Sequence, residues 1–418
     1  MIHRTRAAWA VLAAVCLAPA ARAQTSASDT LPLAERERIA AGLDTLVRTR
    51  FAHWEAAPRA EYDARFAPYR ARVPGLAGRF DFDTATMALV AGLRNGHTGF
   101  WDRWLSQRHG APLPFELRPV EGRWGVAASA HPGLRPGDEI WTLDGEPLDA
   151  FFLRRERYIS GSDARWKRRM LGRNPHLFPE RFTLGLADGR EVPVERRAAA
   201  APAQEGPSDA VPNRWLVSDS VAYLRVPYFG DAKFEARALE LLRTRYRGAR
   251  ALVLDVRGNG GGSTPWKLRK ALAGGRGRRW VVQRDHAPTS LLFRMAAPVV
   301  VRAARVPRVR GPVVVLADGG CFSACEDLVG ALRGLPRVTV VGDTTAGSTG
   351  QPIVLDLGDG MGARVSARRY LLPGGAPFEG VGVAPDVYAP RTLASFRDGT
   401  DPALERALAV ARERMAPR

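Results

Sequence analysis

Apolar strands alternating with amphipathic helices predict an α/β fold for the C-terminal half of this 418-residue chain. The runs "VAYLRVPYF", "ALVLDVRGNGGG", "GPVVVLADGG" and "VTVVGDT" are short and apolar, as expected of strands covered on both faces. Between them, "DAKFEARALELLRTRY" and the segment after Ser323 carry apolar residues at helical spacing. The length also allows two or three domains, each with its own core.

Taken in order, residues 1–23 read as a secretory signal peptide. Arg4 and Arg6 give a positive start, residues 7–18 an apolar run too short to span a bilayer, and "ARA" at 21–23 a small-x-small cleavage site. Cleavage after Ala23 is expected, with a periplasmic or secreted mature protein. Residues 24–112 read as an N-terminal helical region. "LPLAERERIAAGLDTLVRTRF" and "DTATMALVAGLRNGHTGF" show helical periodicity, with Asp83 or Thr84 as the expected cap of the second helix. That helix runs into the breaker Asn95-Gly96 and then His97. In residues 113–198 the pattern changes to short alternating strands, "WGVAASA", "GDEIWTLDG", "RFTLGLADG" and "REVPVER", separated by Gly and Asp-Gly turns. Residues 199–213 are rich in Ala and Pro and aperiodic, a linker. Residues 214–418 make up the α/β core.

The formal net charge is +19, but the basic residues are scattered singly and nearly all are arginine. The lysines are Lys167, Lys233, Lys267 and Lys270. No run joins basic and aromatic residues as a nucleic-acid module does, so no nucleic-acid partner is expected. No close His/Cys/Asp/Glu group has ligand spacing, and no metal or cofactor is expected. Without the signal peptide two cysteines remain, Cys321 and Cys325. They form a disulfide if Cys321 lies outside the following helix, or stay as packed thiols.

Three loops at strand ends carry the candidate chemistry. "LDVRGNGGGS" (254–263) is a glycine loop that lets backbone amides approach a ligand. It lacks the Gly-Lys-Ser/Thr ending of a phosphate-binding loop and the dinucleotide fingerprint spacing. "GGCFSACEDLVGAL" (319–332) places Ser323 at a helix start, where Ser-x-x-Glu to Glu326 is also a capping box. A nucleophile there gains from the helix dipole and nearby amides. "FEGVGVAPDVY" (378–388) holds Glu379 and Asp386.

Together, "ALVLDVRGNGGG", "VVVLADGGCFSACEDLVGAL", "VTVVGDTTAGSTGQ" and "EGVGVAPDV" resemble, in order and spacing, the core of the tail-specific, or C-terminal-processing, serine peptidase superfamily. "HPGLRPGDEIWTLDGEPL" (131–148) looks like the signature of a PDZ domain. The resemblance implies a crotonase-like α/β core with a PDZ-like domain in 113–198. It also implies polypeptide substrates and an acyl-enzyme on Ser323. In the best-known branch the base is a lysine about 25 residues after the nucleophile. Here that position is Ser348, and no lysine follows Lys270. A histidine must serve instead, and "LRNGHTGF" resembles the histidine motif of the tricorn-like branch, making His97 the expected base. Glu379 matches the acid that orients it. That branch can carry a relaying serine just before the histidine, where this chain has Gly96. Glu379 then reaches His97 directly, or through Thr98, Ser348 or a water. Amides of Gly260 or Gly261 and of Ala324 are the expected oxyanion donors. The competing expectations are a non-catalytic peptide- or ligand-binding protein on the same scaffold and, ranked lower, an acyl-CoA enzyme of the crotonase type.

Overall fold

Every residue of Ala251–Asp255, Val313–Ala317 and Val338–Gly342 is buried, which requires cover on both sheet faces. The computed structural model describes residues 28–196, 214–217, 220–273, 281–283, 306–372 and 375–415. The expected signal peptide and linker lie outside the described residues. The three strands run parallel in a six-stranded sheet ordered Val387–Tyr388, Val338–Gly342, Val313–Ala317, Ala251–Asp255, Val221–Arg225 and Arg214–Val217. Only the last pair is antiparallel. The two-residue period divides the side chains between two cores. Leu252, Leu254, Val313, Val315 and Val340 face the helices Ala232–Arg243, Trp266–Ala273 and Ala324–Leu332. Val253, Val314, Leu316 and Val341 face the helix Pro402–Met415.

A second sheet is antiparallel, ordered Phe115–Val120, Arg123–Ser129, Glu139–Leu143, Arg181–Leu186 and Glu191–Glu195, and has its own core. The four strand segments read from sequence are all present. Two helices, Leu148–Arg155 and Ala164–Leu171, were not expected there. The segment "RWGVAASA" lies inside the sheet, paired on both sides.

The N-terminal region departs most from expectation. Its helices are Leu33–Arg50, Arg59–Arg72 and Arg79–Ala91. The third starts four to five residues before the expected cap, so Asp83 lies within the helix and is fully buried. The cause is Arg79, itself buried, whose guanidinium makes a bidentate pair with Asp102 at 2.6 and 2.9 Å. The region is also not wholly helical. Gly99–Asp102 is a strand that pairs antiparallel with Met361–Ser366, which in turn pairs with Pro352–Gly358. Leu357, Met361, Ala363 and Val365 therefore complete the core of the N-terminal helices. This pairing holds the chain immediately after His97 against the C-terminal third.

Candidate active site

The loops 254–263 and 319–332 leave the carboxyl ends of the neighbouring parallel strands Ala251–Asp255 and Val313–Ala317, where open α/β sheets place their ligand crevices, and the segment 378–388 leads into the edge strand Val387–Tyr388. Each loop is tied to the next. Asn259 is fully buried. Its Nδ2 donates to the Val226 carbonyl, its Oδ1 accepts the Gly261 amide (2.8 Å each), and its own carbonyl accepts the Phe322 amide at 3.0 Å. Asp318 Oδ1 accepts the amides of Gly258 (2.8 Å) and Gly320 (2.9 Å), while Oδ2 faces Arg169 at 3.2 Å. Arg257 is turned away, onto Asp255 and Asp401.

Ser323 has φ 58° and ψ −123°, a conformation that costs a side-chain-bearing residue about 1–3 kcal/mol and persists only where the surroundings enforce it. They do so here. The Ser323 amide faces the Ser348 carbonyl (3.1 Å) and the Glu326 carboxylate (3.3 Å), and Cys321 and Cys325 form a disulfide around it. Cys321 precedes the helix, as the bridge requires. Of the capping box only the return contact is made, the Glu326 carboxylate accepting the Ser323 amide, and the Ser323 hydroxyl makes no cap hydrogen bond to the helix.

Gly261 is packed against this turn. With φ +90°, a Cβ there would lie 2.5 Å from the Phe322 carbonyl oxygen, 2.7 Å from Ser323 Cβ and 2.9 Å from the Ala324 nitrogen. Gly261→Ala is expected to cost about 1–3 kcal/mol of stability and to lower activity at least tenfold, on the order of 1.4 kcal/mol in the barrier. Thermal melting and steady-state kinetics check both. An alanine variant with unchanged kinetics would contradict this packing.

His97 is 226 positions from Ser323 in sequence, yet its Nε2 lies 2.9 Å from Ser323 Oγ. Its Nδ1 lies 2.9 Å from Ser348 Oγ. An Asx turn sets the ring: Asn95 Oδ1 accepts the His97 amide at 2.9 Å, and Asn95 Nδ2 donates to Glu379 Oε1 at 2.8 Å. The ring stacks on Phe322 at 4.4 Å, and Phe322 stacks on Trp166 at 4.6 Å. Burial, then the positive charges of Arg364 and His53, push the imidazole pKa down to about 3, so the ring is neutral and able to accept a proton.

Ser348 fills the place of a residue absent at position 96. A Cβ on Gly96 would lie 2.9 Å from both Cβ and Oγ of Ser348. A serine at 96 and a serine at 348 exclude one another, and this chain has the second arrangement. Thr98 is not between Glu379 and His97: its hydroxyl donates to Asn95 Oδ1 and accepts the Ser366 amide. Glu379 receives Asn95, the Gly96 amide and the Ser162 hydroxyl. Burial raises its pKa to about 7, opposed by the Ser162 hydroxyl and the Gly96 amide, while its Oε2 is buried with no hydrogen-bond partner among the described residues. Of the two glycines offered as alternative oxyanion donors, Gly261 has its amide engaged by Asn259, which leaves Gly260.

Sequence reasoning missed four contributors: Asn95 and Ser162 on Glu379, Trp166 behind Phe322, and Glu326 as an organiser. Glu326 is fully buried and accepts Thr345 Oγ1 (2.5 Å) and the amides of Gly347 (2.7 Å) and Ser348 (2.9 Å), fixing the loop that carries Ser348. The signal for it was the capping box, which named the residue but not its partners.

Burial pushes Glu326 up to about 8, against hydrogen bonds from Thr345, Gly347 and Ser348. With Glu379 at about 7 and Asp83 at about 9, the native state holds protons that the unfolded chain has released. Stability therefore falls as pH rises through these values. His97 and His176, lowered to about 3 and about 4, act oppositely, but only below their ordinary 6.5. Between 6.5 and about 8 the carboxylates decide. The melting temperature is expected to fall across that window, and Glu326→Gln to flatten the slope. A melting temperature that rises there would contradict the assignment.

No group of three or more His, Cys, Asp or Glu among the described residues is arranged to hold a metal ion.

Residues 220–389 match the model of peptidase family S41. The chain is 27% identical over 272 residues to a carboxyl-terminal-processing protease of Synechocystis sp., covering 65% of this chain and 58% of that protein. It is 31% identical over 271 residues to the chloroplastic C-terminal processing peptidase of Tetradesmus obliquus, covering 65% and 55%. The chain thus spans somewhat over half the length of these relatives. Among solved structures, mature CPAF superposes with a TM-score of 0.68 at 14% identity, over 91% of this chain and 97% of that one, a likeness of fold.

Proposed function

We propose, because residues 220–389 match the model of peptidase family S41, that the protein is a serine endopeptidase that cuts polypeptides near C-termini or in unfolded segments. The observation that carries this reading is the 2.9 Å approach of Ser323 Oγ to a neutral, buried imidazole.

Ser323 Oγ attacks the substrate carbonyl carbon as its proton passes to His97 Nε2. The imidazolium that forms donates from Nδ1 to Ser348 Oγ, and in this reading the Ser348 hydroxyl turns its own proton to Glu379 Oε2, which is buried and has no hydrogen-bond partner among the described residues of the resting site. The acid thus acts on the base through Ser348. The amides of Gly260 and Ala324 receive the oxyanion. Collapse of the tetrahedral intermediate returns the proton from His97 to the leaving amine and leaves an acyl ester on Ser323. Water, deprotonated by His97, then releases the acid.

The antiparallel sheet of residues 115–195 is read as a PDZ-like domain, followed by the linker and the crotonase-like core. Its helix Ala164–Leu171, with the residues just before it, reaches the site. Ser162 donates to Glu379, Trp166 covers Phe322, and Arg169 pairs with Asp318. The N-terminal segment and the Cys321–Cys325 disulfide support a periplasmic or secreted location. No helix among the described residues is long and apolar enough to cross a membrane.

The competing reading, a ligand-binding protein on this scaffold, gives no reason for a hydroxyl, an imidazole and a carboxylate in series. A fluorophosphonate reagent separates the two. One covalent adduct on Ser323, mapped by mass spectrometry and absent in His97→Ala, is expected. An unlabelled Ser323 in the wild-type protein would overturn the peptidase reading.

A further inference from the structure

The sheet Gly99–Asp102, Met361–Ser366, Pro352–Gly358 presents one face to the core of the N-terminal helices through Phe100, Ala363, Val365 and Leu355. Paired residues project to the same side, so the other face carries two rows: Gly99, Arg364 and Val354, then Trp101, Gly362 and Asp356. This face is open. Val354 is 61% exposed and Trp101 40%. It begins two residues after His97.

Arg364 stands in the middle of it, partly buried, and among the described residues it has no ion pair or hydrogen bond. The acid on the same face, Asp356, accepts the Gly358 amide instead. Burial alone shifts the Arg364 guanidinium, downward and uncompensated, and its charge reaches His97. A half-desolvated guanidinium with no counter-charge, on the strand paired just after His97 and between two exposed apolar side chains, is suited to an anion that arrives with the substrate.

We propose that Arg364 binds a carboxylate of the substrate chain next to the scissile bond, with Trp101 and Val354 flanking the same segment, and so sets specificity. This rests on the peptidase reading above. Two sources share the chemistry: the chain's terminal carboxylate, or an Asp or Glu side chain.

The test uses internally quenched peptides of one sequence, with a free C-terminus, with a C-terminal amide, and as amides carrying Glu or Gln near the cleaved bond. Rates are measured on the full chain as wild type, Arg364→Gln and Arg364→Lys. Wild type is expected to prefer a carboxylate-bearing peptide over its neutral match by about tenfold or more in kcat/KM. Arg364→Gln loses that ratio, and Arg364→Lys, which keeps the charge and controls for folding, retains part of it. The acid/amide pair and the Glu/Gln pair show which source Arg364 reads. A merely structural role would slow all peptides alike and leave the ratio unchanged. That result, or no carboxylate preference in wild type, overturns the proposal. Acid and amide binding to the Ser323→Ala full chain gives the same ratio without turnover. The peptidase reading stands or falls separately, on fluorophosphonate labelling of Ser323.

Discussion

Replacing Ser323 by alanine is expected to lower kcat by about 10⁴- to 10⁶-fold, with peptide affinity retained. The substitution removes the attacking oxygen but none of the amides or side chains that line the crevice. Some rate above the uncatalysed reaction should remain, because oxyanion stabilisation and positioning survive the loss of the nucleophile. The Ser323 backbone lies at φ 58°, so alanine bears the same strain as serine and the fold should persist. Single-turnover kinetics with an equilibrium binding titration measure both parts. An alanine variant that turns over within tenfold of wild type would remove Ser323 from the mechanism.

His97→Ala is expected to cost as much, and the double variant Ser323→Ala/His97→Ala no more than either single one. Residues that act as one unit are strongly non-additive. The pH profile makes a sharper claim. With its pKa near 3, the imidazole is already neutral across the working range. The acid limb of kcat/KM should therefore follow Glu379, which burial holds at about 7 and which supports the developing imidazolium only when ionised. Activity rises with pH through that value. Ser348→Ala breaks the path between acid and base and should weaken this limb while lowering kcat by about 10- to 100-fold. An unchanged limb in Ser348→Ala would rule out the route through Ser348.

Much of this arrangement could be read from residues alone, for identifiable reasons. The parallel strands are apolar on both faces, a pattern local sequence displays directly. Ser323 lies in a motif with few alternatives, and His97 followed from the absence of any lysine beyond Lys270 together with the resemblance of "LRNGHTGF" to the histidine motif of the tricorn-like branch. The relay stayed open because Thr98 and Ser348 are equivalent on paper, and a steric fact selects between them: Gly96 leaves room that Ser348 occupies. Ser162 and Trp166 were illegible because their partners are distant. Ser162 meets Glu379 across 217 positions, and nothing in "GSDARW" signals it. The strand Gly99–Asp102 is four residues long, too short to show alternation. Its identity depends wholly on Met361–Ser366.

That strand bears on the order in which the site can assemble. Until a ribosome has delivered residues beyond Ser366, the backbone after His97 has no neighbour to pair with, and Glu379 does not yet exist. A nascent or prematurely terminated chain that stops short of Glu379 therefore cannot bring His97 and that carboxylate together.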